Sequence, residues 1–156
     1  MQDQTLTWKL QGNVFLWRYL ENARNYPGWH LTADSTGVRS LLALVHLFAK
    51  SSVPLHRTIS VTPPSITELS VPNNKQGTAK TVAPAKWRLD FDPSTPGRWS
   101  FPQDPNPACL AFGPEYVPTL VAGLNAIENG DGDYSIGPKT KERPDQSSQL
   151  WFWWRP

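Results

Sequence analysis

WHLTADSTGVRSLLALVHLFAK, residues 29–50, is the stretch on which the reading of the chain turns. Its first five residues, Trp29 to Ala33, are apolar enough and short enough for a strand. Asp34, Ser35 and Thr36 then offer three side-chain oxygens that can accept the unpaired amide protons of a first helical turn. Beyond them Val38, Leu41, Leu42, Val45 and Phe48 recur at helical spacing. Leu44 and Leu47 widen that face until Arg39, Ala43, His46 and Lys50 remain as a narrow polar strip. A helix apolar over most of its circumference is covered on more than one side. This one is therefore expected at the centre of a single core.

Working outward toward the N-terminus, residues 5–10 alternate, with Leu6, Trp8 and Leu10 against Thr5, Thr7 and Lys9, and suggest an edge strand. Gly12 and Asn13 are expected to open a helix reaching about Asn25. Val14, Trp17 and Leu20, near Phe15 and Ala23, would form its apolar face, and Tyr26, Pro27 and Gly28 would stop it.

On the C-terminal side, residues 55–62 read as a strand with Arg57, Ile59 and Val61 on one side, ended by Pro63 and Pro64. Ser65, Ile66, Thr67 and Glu68 have capping-box spacing, sufficient for a single turn. Residues 73–84, NNKQGTAKTVAP, hold little to bury and are expected to be a mobile loop. Residues 85–91 alternate most regularly, with Trp87, Leu89 and Phe91 inward and Lys86, Arg88 and Asp90 outward. The turn-rich residues 92–97 predict a hairpin back into residues 98–101.

ACLAF, residues 108–112, reads as a short buried strand. Gly113 and Pro114 then begin a helix with Val117, Leu120, Val121, Leu124 and Ile127 in one stripe, closed by Gly130 in the left-handed conformation. Residues 133–136 and 150–154 supply two last strands. Helices mixed with hairpins imply an α+β class: one domain over residues 1–156, a mainly antiparallel sheet with about three helices packed on it.

With 156 residues the chain can bury a core without staples, and Cys109, its single cysteine, allows no internal disulfide. The net charge of +2 creates no field that would recruit nucleic acid or an anionic membrane surface. The longest apolar run is too short to span a bilayer, and the first residues lack a secretory pattern, so a cytoplasmic location is expected. Sixteen prolines fall mostly between periodic segments, as chain breakers should, whereas the eight tryptophans sit inside them as large core fillers.

Chemistry-bearing patterns are few. The turn formed by residues 29–39 presents free amides and a positive helix end, so Ser35, Thr36 and Gly37 are the candidate contacts for a small anion. His30, Asp34 and Arg39 are the candidate catalytic set there, although ordinary capping accounts for the same residues. Asn129, Gly130, Asp131, Gly132 and Asp133 have the look of a calcium loop. The required glycine at the sharp turn is replaced by Ile136, however, and Pro138 and Pro144 block the exit helix. His30, His46 and His56 lack metal-ligand spacing, and Cys109 among apolar neighbours is expected to be an inert thiol. Asp90 and Asp92 share a strand face, as exposed carboxylates often do. Aromatic–basic pairs such as Trp87–Arg88, Arg98–Trp99 and Trp154–Arg155 suit stacking on single strands, against which the near-neutral charge weighs.

No nucleophile elbow, phosphate loop or dinucleotide fingerprint occurs. The expectation is a non-enzymatic protein-interaction domain that needs no cofactor and no metal, with a protein partner or a second copy of itself bound. Trp151 and Trp153, on the face of the last strand opposite Leu150, Phe152 and Trp154, are the expected interface residues unless a second layer of the chain covers them. The alternative is a small enzyme or anion-binding protein with its pocket at residues 29–39.

Overall fold

Asp34 settles where the central helix begins. Its carboxylate accepts the Gly37 amide at 2.7 Å and caps helix α1, Ser35–Ala49, immediately after strand β2, Trp29–Ala33. Val38, Leu41, Leu44, Val45 and Phe48 are buried, while Arg39, Ala43, His46 and Lys50 face solvent. The structure, a computed structural model, describes residues 7–132, 134–138 and 148–156. Among these, β1 is Val14–Tyr19, β3 Leu55–Ser60, β4 Thr81–Val82, β5 Lys86–Phe91, β6 Trp99–Ser100, β7 Ala108–Phe112, β8 Tyr134–Ile136 and β9 Leu150–Phe152. Helix α2 is Ile66–Leu69 and α3 is Val117–Asn129.

The strands form two mixed, mostly antiparallel sheets rather than the one expected: β4-β1-β2-β9-β8 and β3-β5-β7-β6. Only β2–β9 and β5–β7 pair in parallel among the described strands. The inner faces of both sheets share one core with α1 and α3. Phe48 of α1 stacks on Phe91 and meets Phe112 edge-on, and a Trp29–Phe101–Trp87 stack links the first sheet to the second. Helix α3 lies so close to β9 that a Cβ built on Gly123 would sit 2.6 Å from the Phe152 ring. The fold is thus a single α+β domain of three helices and two sheets.

Three expected elements are corrected. The helix expected from Gly12 to Asn25 is strand β1, which pairs antiparallel with β2. Val14 and Leu16 enter the main core, while Phe15, Trp17 and Tyr19 face the other side of the sheet, where a second apolar layer meets them. A strand buried on both faces loses its alternation, and its apolar residues then mimic a helical face. The expected hairpin of residues 85–101 is also absent. The turn forms, with Asp92 accepting from the Ser94 amide at 2.9 Å, but β6 pairs with β7, which lies between it and β5. Of the edge strand expected over residues 5–10, residues 5 and 6 lie outside the described part, and residues 8–10 are not a strand.

Smaller elements follow their local chemistry. Ser65 and Glu68 complete the capping box of α2, Gly130 ends α3 at φ 77°, and a 3-10 turn over Pro114–Tyr116 precedes α3. Residues 73–84 carry a 3-10 turn, Asn74–Gly77, followed by β4 on the edge of β1. Asn74 is buried there, donating to the Glu21 carbonyl at 3.2 Å and accepting from the Asn22 side chain at 3.0 Å.

Candidate functional site

The turn between β2 and α1 ties Asp34 and Ser35 to partners within the chain. Asp34 accepts from the Gly37 amide at 2.7 Å and also from the Asn13 amide and side chain, at 2.9–3.1 Å. Partial burial pushes the Asp34 carboxyl up, but these bonds outweigh it and hold the group below its usual range. Ser35 donates to Glu128 on α3 at 2.6 Å, and Thr36 is exposed. A cleft of about 240 Å³ beside Asp34 is lined by Phe15, Thr32, Thr67, Glu68 and Arg155 among others, but includes neither His30 nor Arg39.

His30 points to the opposite surface of the sheet from the core and is fully buried in an aromatic cage. Trp17, Trp151 and Trp153 lie nearly parallel to it at ring-centroid distances of 5.8–6.0 Å, and Tyr19 meets it edge-on at 4.8 Å. The Trp153 indole donates to Nδ1 at 2.9 Å, so Nε2 carries the proton and donates to the Tyr26 carbonyl at 3.1 Å. Burial, only slightly opposed by that carbonyl, pushes the imidazole down to about 3. His30 is therefore neutral and saturated with partners. The structure does not bring His30, Asp34 and Arg39 together: one is caged, one caps a helix, and one lies on the solvent strip.

The tryptophans of the last strand belong to the same cage. Trp153 is 5% exposed and Trp151 is half-buried, its indole donating to the Pro27 carbonyl at 2.7 Å. The second layer that covers them comes from this chain: Tyr26, Leu69, Val71, Ala79 and Ala83 pack there.

On the outer face of the second sheet, the Cys109 thiol lies 3.5 Å from Asp90, which also accepts from Arg88 at 2.9 Å. Burial, reinforced by the Asp90 carboxylate, pushes the thiol up, so it stays protonated. Asp92 spends its oxygens on Ser94 and Thr95. Among the described residues no group of three His, Cys, Asp or Glu side chains is placed to hold a metal. The aspartate ending the calcium-like stretch, Asp133, lies outside them.

A second cleft lies elsewhere. β3 is the terminal strand of its sheet, and a cleft of about 540 Å³ runs along it between residues 57–62 and the wall formed by residues 8–12. That wall is tethered to the helix, the Trp8 indole donating to the Ser40 carbonyl and the Gln11 amide to the Ser40 hydroxyl, both at 3.1 Å, and just beyond it Thr62 donates to the Asn13 side chain at 3.0 Å. Gly12 closes the turn at φ 80°, where a Cβ would sit 2.4 Å from the Gly37 nitrogen. The partial signals in the sequence were the alternation at residues 55–62 and around Trp8. Only the fold sets the two segments face to face.

In the turn at residues 29–39 Asp34 caps the helix and Ser35 bonds Glu128, whereas residues 57–62 of β3 and its continuation line a cleft. Comparison with protein-family models, curated proteins and solved structures returned no match to this chain.

Proposed function

We propose that this protein is a non-enzymatic interaction domain that takes an extended protein segment alongside β3 as an added strand. The observation that supports it is the cleft of about 540 Å³ lined by six successive residues of a terminal strand and its continuation, Arg57 to Thr62. A terminal strand presents alternate N–H and C=O groups outward, and an extended peptide satisfies them with main-chain bonds. Residues 57–61 span roughly 17 Å, beyond which the Thr62 amide already donates to the Val14 carbonyl at 2.8 Å. Trp8 and Leu10 give the opposite wall apolar surface, and the bond from Trp8 to Ser40 holds the indole in place before any partner arrives.

The competing reading, a small-molecule site at residues 29–39, draws less support because Asp34, Ser35 and the Gly37 amide already have partners within the chain. Selection of linear peptides from a displayed library, followed by amide shift mapping, tests the proposal. Shifts confined to residues 8–12 and 57–62 are expected. A dimer that forms with concentration and shifts the same residues identifies the occupant as a second copy. Failure to enrich any peptide, or shifts centred on residues 29–39, overturns it.

A further inference from the structure

We infer that the occupant of this cleft is one free segment in which apolar residues alternate with threonine or serine, held by the main chain of Thr58 and Ser60; the inference rests on the strand-addition reading above. The bonds just past β3 fix which groups face the cleft. The Val61 amide donates to the Ala85 carbonyl at 3.2 Å, on the β5 side, and the next amide, Thr62, donates outward to Val14 at 2.8 Å. Successive residues of an antiparallel strand turn their N–H and C=O groups to opposite edges. Ile59 therefore bonds to β5, opposite Trp87, while Thr58 and Ser60 turn theirs to the cleft. There they meet no main-chain partner among the described residues.

Side chains alternate as well. Ile59 and Val61 are buried on the core side, and Trp8 and Leu10 of the wall pack against that same core. Thr58 and Ser60 lie exposed on the other face, with Lys86 donating to Ser60 at 2.7 Å. The core-side positions of an added strand thus fall between Ile59 and the Trp8–Leu10 wall, where burial favours valine or isoleucine. Its outer positions flank exposed hydroxyls, where threonine and serine pair across strands. The available edge stops at Ser60, because Thr62 already bonds to Val14 and Asn13. The wall also decides between occupants. The β3 of a second copy carries its own residues 8–12 along the same edge, so two such edges cannot meet.

Two hexapeptides of one composition test this on the full chain, one alternating valine with threonine, the other with three valines followed by three threonines. Fluorescence anisotropy should show the alternating peptide binding about tenfold tighter, as one further apolar side chain in contact allows. In amide hydrogen exchange it should slow Thr58 and Ser60 far more than Ile59, which is already bonded to β5. Equal affinity of the two peptides, with Thr58 and Ser60 still slowed, overturns the alternation and leaves strand addition standing. Slowing of those amides by protein concentration alone overturns the choice of a free segment. If neither peptide slows them, strand addition itself fails and the alternation with it.

Discussion

His30 carries more of the aromatic layer than its single ring suggests. Its two nitrogens join β2 to Trp153 and to the Tyr26 carbonyl, and three indoles stack about it. Burial lowers the folded imidazole to about 3 against 6.5 ordinarily, so between those values the unfolded chain binds the extra proton. The stabilisation from keeping His30 neutral is therefore complete above pH 6.5 and is lost progressively as pH falls toward 3. A difference of that size corresponds to on the order of 5 kcal/mol. Denaturant midpoints measured down this range should fall, and His30→Gln, which keeps an acceptor for the indole, should flatten the slope. An unchanged slope would mean other groups govern acid unfolding. Trp153→Phe keeps most of the packing but leaves Nδ1 without its donor, at a cost of about 1–3 kcal/mol.

Elements show where local signals suffice. The cap of α1 was legible because Asp34 precedes a helical period and needs nothing distant to accept an amide. Asp34→Ala should cost about 1–2 kcal/mol by urea unfolding. Strand β1 was not legible, because its second buried face exists only once residues 66–83 lie over Trp17 and Tyr19. Helix α3 meets β9 through Gly123, where an added methyl group would come within 2.6 Å of the Phe152 ring. Gly123→Ala should thus destabilise by about 1–3 kcal/mol through overpacking, despite its better helix propensity. A neutral or higher melting temperature would show that the helix can shift.

Residues 73–84 pose a sharper contest between composition and contact. Their polarity suggests mobility, yet Asn74 is buried, β4 pairs with β1, and the Lys80 amide donates to Glu21 at 2.8 Å. Each ordered residue gives up about 1–2 kcal/mol of backbone entropy, which such contacts must offset. Lysine-specific proteolysis should therefore cut slowly at Lys75 and Lys80 in the native chain and much faster in Asn74→Ala. Equal rates in both would mean the segment opens regardless of these bonds.

At the scale of the molecule, one core serves both sheets, since the Trp29–Phe101–Trp87 stack and α1 belong to each. The aromatic layer outside the first sheet is built from the same strands, so neither sheet can be lost alone without exposing tryptophan. Trp153→Ser should accordingly lower stability by about 3–5 kcal/mol at every protein concentration. Sedimentation and unfolding run together check this: a folded variant that merely loses a dimer would place Trp153 at an interface instead. No helix among the described residues is long and apolar enough to cross a membrane.

Residues 29–50 by themselves determined a strand, a cap and a central helix, because capping and helical periodicity are short-range effects. The same holds for the alternation at residues 86–91, the box at Ser65 and Glu68, and the α+β class. Partnership was decided only in three dimensions. The turn at Asp92 formed as its residues dictate, yet β7 entered between β5 and β6, since a turn sets chain direction and not which strand completes the ladder. His30 looked like a candidate acid or base until Trp17, Trp151 and Trp153, distant in sequence, enclosed it. The cleft beside β3 has the same origin: Trp8 is drawn to Ser40 of the helix, and that tertiary tether fixes one wall of the cleft.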